Sequence, residues 1–142
     1  MLFRSRYGVE AENEVRAAPV AYGETLRLPG GVDATFVPAG HVLGSAQILL
    51  EHAGERVVIT GDYKRRPDPP CPPFQPVACD VFISEATFAL PVFRHPAAQA
   101  EIAKLLASVA QFPERSHLVG AYSLGKAQRV IKLIRQIGRA HV

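Results

Sequence analysis

Three potential metal ligands or proton carriers each stand just beyond an apolar run. His41 follows Val32–Val37, Asp62 follows Arg56–Thr60, and Glu85 follows Val81–Ser84. A neutral imidazole nitrogen binds zinc at about 2.0–2.1 Å, so a ligating His needs a tight turn to hold its ring. Gly40 and Gly44 on either side of His41 let the backbone turn sharply and present the ring without strain. Thr60-Gly61-Asp62 aims a carboxylate out of a strand end, where burial without a partner would be costly. Burial after Val81-Phe82-Ile83-Ser84 would raise the pKa of Glu85 unless a cation or a protonated His stood near, and a carboxylate there can orient a metal-bound His. Each residue also has a plainer reading. His41 can be a loop residue hydrogen-bonded locally, Asp62 a turn former, and Glu85 a helix cap or a partner of Arg94. The repetition favours a site, because three strands ending in His, Asp and Glu place all three along one sheet edge.

The elements that must position these residues follow from hydrophobic pattern and turn chemistry. Pro19–Tyr22 and Glu24–Leu28 read as short strand pieces, and Leu28-Pro29-Gly30-Gly31 as a turn. Val32–Val37 and Ala46–His52 read as strands joined by the loop that bears His41. Ala53-Gly54-Glu55-Arg56 then makes a hairpin into Val57–Thr60. Such short spacing predicts an antiparallel meander feeding a sheet. Pro67, Pro69, Pro70, Pro72, Pro73 and Pro76 forbid helix and central strand alike, so residues 65–76 form a stiff surface loop. Cys79–Ser84 reads as a buried strand.

Beyond Phe88 the pattern changes. Pro96 to Gln111 reads as a helix with Pro96 in its first turn and Ile102, Leu105, Leu106 and Val109 on one face. His117–Tyr122 reads as a short strand, and Ser123 as the cap of a second helix with Leu124, Ala127, Ile131 and Ile134 on its apolar stripe. Upstream, residues 6–17 read as a helix end followed by a solvated loop.

Composition bounds the rest. With 142 residues, 48% hydrophobic and 20% charged, the chain has the make-up of a folded domain with a real core. A net charge of +3 favours an anionic partner, but only mildly. No apolar run is long enough to cross a membrane as a helix, and Met1–Arg6 lacks a signal-peptide pattern, so the expected location is cytoplasmic with no membrane partner. Cys71 and Cys79 have no CxxC spacing and are expected as reduced thiols. The segments 1–5 and 137–142 back-translate into a common sequencing adapter and its reverse complement. The expectation is a piece of a longer gene with adapter-encoded ends.

The motifs AGHVLGSAQ, TGDYKR and SEATF, in that order and spacing, closely resemble the third and fourth metal-binding motifs of the metallo-β-lactamase fold and motif A of its β-CASP nuclease branch. Within that branch the likeness is greatest to ligase-associated DNA exonucleases, which are related to RNA 3′-end processing factors. Ala121–Arg129 resembles the strand–helix element early in the β-CASP insertion. The resemblance implies an α/β (α+β) architecture: a partial metallo-β-lactamase αβ/βα sandwich over 6–88 and the start of a β-CASP domain over 89–136. It also implies two zinc ions in the full-length protein, with His41 ligating one, Asp62 bridging both, and Glu85 holding a later His. Together they would activate water against a phosphodiester of DNA, exonucleolytically and in repair alongside a DNA ligase.

The sequence also departs from the family pattern. No HxHxDH motif is present; it belongs upstream of Arg6, and the later β-CASP histidines belong beyond Gln136. His52, His95 and His117 match no motif. The chain by itself is therefore expected to bind zinc poorly and to hydrolyse little. Lys64 with its neighbours Arg65 and Arg66, and Ser123 with Lys126 at a helix start, are candidate nucleic-acid contacts, with a solvated basic face as the alternative. Two other functions fit the same residues: an RNA-processing hydrolase, and a non-catalytic nucleic-acid-binding protein.

Overall fold

The structure, a computed structural model, describes residues 18–138. The expected helix end over 6–17 and nearly all of both end segments lie outside those residues. Five strands make one sheet, in the order β1 (Thr25–Arg27), β2 (Asp33–Pro38), β3 (Ala46–His52), β4 (Glu55–Ile59) and β5 (Val81–Ile83). β1 through β4 pair antiparallel, and β5 joins β4 in parallel. The parallel step needs a long crossover, which the proline-rich stretch supplies. β2 and β4 both oppose β3, and β5 follows β4, so β2, β4 and β5 all finish at the same end of the sheet. This places the segments bearing His41, Asp62 and Glu85 at one end.

Pleating explains the packing. Leu49 lies opposite Thr35 on β2 and Val58 on β4, and Leu49 and Val58 are both buried. Ile48, between Phe36 and Ile59, lies on the other face. Both faces thus carry apolar residues, and each fully covered Leu or Val contributes about 1.5–3 kcal/mol. The β3–β4 hairpin turns through Ala53 and Gly54 at φ of 51° and 88°, the positive pair that a type I′ turn requires.

Two compact units emerge. One runs to Pro67 and resumes over Cys71–Glu85, and it holds the sheet; the other takes Asp68–Pro70 and the chain from Ala86. The second unit carries helices α1 (Ala98–Gln111) and α2 (Lys126–Gly138), which pack together. Among the described residues of this unit, Ile102 on α1 and Leu133 on α2 are the buried apolar ones. The Asp68 carboxylate, almost fully buried, meets the Arg129 guanidinium at 3.5 Å, and Lys132 Nζ donates to the Pro69 carbonyl. The class is mixed α+β.

Six local expectations need correction. Residues 19–22 form no strand, because the chain turns there: Glu24 N donates back to the Ala21 carbonyl and Gly23 sits at a φ of 78°. Pro96 precedes α1 instead of opening its first turn, because the extended Ala97 stands at the helix cap. Ser123 does not cap α2, since Gly125 at φ +81° breaks the helical path and helix begins at Lys126. The inward stripe of α2 is Ala127, Val130, Leu133 and Ile134, whereas Leu124 and Ile131 are exposed. Residues 117–122 form no strand; Leu118 is 97% exposed, and an isolated strand without a partner is not stable. Among the described residues β5 pairs only with β4 and forms the sheet's edge, and its three residues are about half exposed instead of buried.

Candidate functional site

His41 sits in a turn that satisfies itself. Ala39 N donates to the Ser45 carbonyl at 3.1 Å and Ser45 N to the Val42 carbonyl at 3.0 Å. The Ser45 hydroxyl oxygen accepts from His41 N at 3.0 Å and Val42 N at 3.1 Å. From outside the turn, Tyr22 donates its hydroxyl to the Ser45 carbonyl at 2.9 Å, and Cys71 its thiol to the Gly40 carbonyl at 3.4 Å. Partial burial, and then the neighbouring Cys71, raise the Tyr22 pKa above its ordinary value and keep the hydroxyl a donor. Cys71 and Cys79 form no disulfide.

Asp62 leaves an equally fixed strand end. Thr60 is fully buried, donates its N–H to the Ile83 carbonyl at 3.0 Å and its hydroxyl to the Gly61 carbonyl at 2.8 Å. Its hydroxyl also lies 3.3 Å from that of Ser84, which ties the end of β4 to the end of β5. The two turns are then joined, because Lys64 N donates to the Ala39 carbonyl at 2.9 Å. Their approach requires glycine at position 40: its φ is +72°, and a Cβ there would lie 2.5 Å from the Lys64 carbonyl oxygen and 2.7 Å from Phe74 N.

The outcome is that His41 Nε2 and Asp62 Oδ2 stand 3.7 Å apart, with side chains 42% and 74% exposed. That is too long for a hydrogen bond between them. Two adjacent ligands of a tetrahedral zinc, each about 2.0–2.2 Å from the metal, are separated by about 3.3–3.6 Å. The pair therefore fits two corners of one coordination sphere with little movement. Among the described residues no group of three or more His, Cys, Asp and Glu side chains gathers to hold a metal.

Glu85 follows β5 at the same sheet end and is partly buried, but it does not join His41 and Asp62 as a third donor. The Ser84 hydroxyl donates to the Glu85 carbonyl at 3.0 Å, which continues the Thr60–Ser84 link. Lys64 lies two residues past Asp62, its backbone holding the His41 turn. In the second unit, Lys126 Nζ sits 4.6 Å over the Tyr122 ring, and both line a shallow recess with Gly120 and Ala121. Ser123 accepts a bond at its carbonyl from Gln128 Nε2, at 2.8 Å. The other described histidines are engaged locally: His52 Nδ1 with the Gly31 carbonyl at 3.3 Å, His117 Nε2 with the Ser108 hydroxyl at 3.1 Å, and His95 edge-on to Phe88.

Comparison with known proteins bears on this arrangement. No family model matches the chain. The chain is 34% identical over 108 residues to the cleavage and polyadenylation specificity factor subunit 3 of Dictyostelium discoideum, covering 73% of this chain and 14% of that protein. It is 31% identical over 134 residues to the endoribonuclease YSH1 of Kluyveromyces lactis, covering 92% of this chain and 17% of that protein. The chain belongs to the β-CASP metallo-β-lactamase family. A third match, at 34% over 118 residues, is a probable DNA ligase of Opitutus terrae, with 78% of this chain and 11% of that protein covered. The chain thus spans less than a fifth of the length of each of these relatives.

Two further residues of the site were not singled out in the sequence. Tyr22 reaches Ser45 from far upstream, and no local pattern announces such a contact. Gln47 is different: a polar residue at an inward position of the apolar run Ala46–Leu50 is itself a signal.

Proposed function

We propose that this chain is the central portion of a metal-dependent hydrolase that cleaves phosphodiester bonds in nucleic acid. The observation carrying the reading is the 3.7 Å approach of His41 Nε2 and Asp62 Oδ2 at a shared strand end, open to solvent. The apolar residues on both sheet faces support a metallo-β-lactamase sandwich, with a β-CASP insertion beginning near residue 88. Zinc bound at this edge supplies Lewis acidity and lowers the pKa of water. The work of the chain is to prepare that edge. His41 presents Nε2 from a turn closed by Ser45, and Asp62 presents a carboxylate from the end of β4. Glu85 takes the role of orienting a His from elsewhere in the full-length protein, and Thr60 and Ser84 fix its distance from β4. Lys64, with Arg65 and Arg66, offers cations beside Asp62 for a phosphate backbone, and Ser123 and Lys126 mark a second contact region.

DNA is the preferred substrate of this reading, with exonucleolytic action in repair beside a ligase, because the three motifs most resemble that branch. An RNA-processing hydrolase is the second reading, favoured by relatives named as endoribonucleases. The test is degradation of end-labelled DNA and RNA strands by the full-length protein and its Asp62→Asn variant. Asp62 is 74% exposed, so the substitution leaves packing intact while removing a charged ligand. Wild-type cleavage of one polymer and loss of at least about a hundredfold in the variant is the expected result. Undiminished turnover in the variant would reduce Asp62 to a turn residue. Nucleic-acid binding without cleavage by the wild type would leave a non-catalytic protein.

A further inference from the structure

Gln47 is almost wholly buried, and its side chain occupies a position where the strand pattern calls for an apolar residue. Its Nε2 donates to the Pro38 carbonyl at 3.3 Å and also to the Gln75 carbonyl. Both neighbours are acceptors only, so chemistry places the NH2 end of the amide between them. The other end, Oε1, is buried with no hydrogen-bond partner among the described residues. Keeping such a group out of water costs free energy that an apolar side chain would not incur. What it gains is a clamp. Pro38 ends β2 and leads directly into the His41 turn, while Gln75 lies in the proline-rich stretch after Asp62. The clamp is doubled by Gln75 N, which donates to the same Pro38 carbonyl at 3.2 Å, and by Lys64 N on the Ala39 carbonyl at 2.9 Å. Phe74, next to Gln75, packs 5.3 Å from Tyr63, the residue after Asp62.

We infer that Gln47 is a positioning residue whose amide supports the spacing of His41 and Asp62 by holding the Gln75 stretch against the end of β2, where Phe74 packs on Tyr63 beside Asp62. This rests on the reading that the pair grips one metal ion. The experiment uses the full-length protein and measures zinc affinity by competition with a chelator. Gln47→Met keeps the volume and removes both donated hydrogens. An affinity lower by about 10–100-fold, with the unfolding temperature of the metal-free protein little changed, is the expected result, as for other groups that orient a ligand. Wild-type affinity in folded Gln47→Met overturns the inference. Absence of zinc binding by the wild type instead overturns the metal reading itself, so the two failures are distinct.

A measurement on the wild type alone covers the case of a variant that does not fold. If the clamp raises metal affinity, zinc must reciprocally strengthen the clamp. Zinc is expected to slow amide hydrogen exchange at Lys64 and Gln75 at least about tenfold more than at β3 amides. Equal protection at both places overturns the inference.

Discussion

Replacing Gly40 with Ala separates backbone strain from crowding at the site. The left-handed φ of +72° alone costs an L-residue about 1–2 kcal/mol. The added Cβ would also lie 2.5 Å from the Lys64 carbonyl oxygen and 2.7 Å from Phe74 N, and neither backbone atom can rotate away. Forced overpacking of this kind adds about 1–3 kcal/mol, for a total of about 2–5 kcal/mol. Gly54→Ala is the control, because its φ is +88° but a Cβ there meets nothing within 4 Å. Only the strain portion applies to it. Native-state hydrogen exchange of the β3 amides in the full-length protein reads the opening free energy of this sheet directly. The expected loss is greater for Gly40→Ala than for Gly54→Ala by about 1–3 kcal/mol. Zinc affinity should fall in the first variant and hold in the second, since only the first separates the two turns. Equal destabilisation by both, within about 0.5 kcal/mol, would refute the argument that turn contact governs the site.

Two other outcomes follow from particular residues. Ala53 occupies a positive φ of 51° in the hairpin, so Ala53→Asn should stabilise the sheet by about 0.5–1 kcal/mol, read as slower exchange in β3 and β4. Tyr22 has a raised pKa in the folded chain, so its contribution is complete below the ordinary tyrosine value and is lost as pH climbs through the raised one. Stability measured from neutral pH into the alkaline range should therefore decline less steeply in Tyr22→Phe than in the wild type, and equal slopes would remove Tyr22 as the titrating support of Ser45.

Much of the site-bearing half was legible because strand direction follows from short connections. β2, β3 and β4 fall within a residue of the apolar runs, and two antiparallel steps return the chain to the same sheet end at Asp62. What an apolar run does not state is what covers it. Val81-Phe82-Ile83 has the composition of a buried strand yet forms an exposed edge, and Leu118–Tyr122 has strand residues with no strand beside them. Ser123 resembled a helix cap until Gly125, at a φ no helix contains, moved the start to Lys126. The inward stripe of α2 was misplaced for a related reason: Arg129 turns toward the buried Asp68 carboxylate, a contact sixty-one positions away that helical periodicity does not contain. Gln47 was visible as an anomaly in an apolar strand, but its role depended on Gln75, in a loop that the sequence marks only as stiff.

The central claim is that His41 and Asp62 grip one cation, and anomalous diffraction at the zinc edge from crystals of the full-length protein tests it most directly. The account predicts a peak about 2.0–2.2 Å from both His41 Nε2 and an Asp62 carboxylate oxygen. Bound zinc that touches neither residue would contradict it.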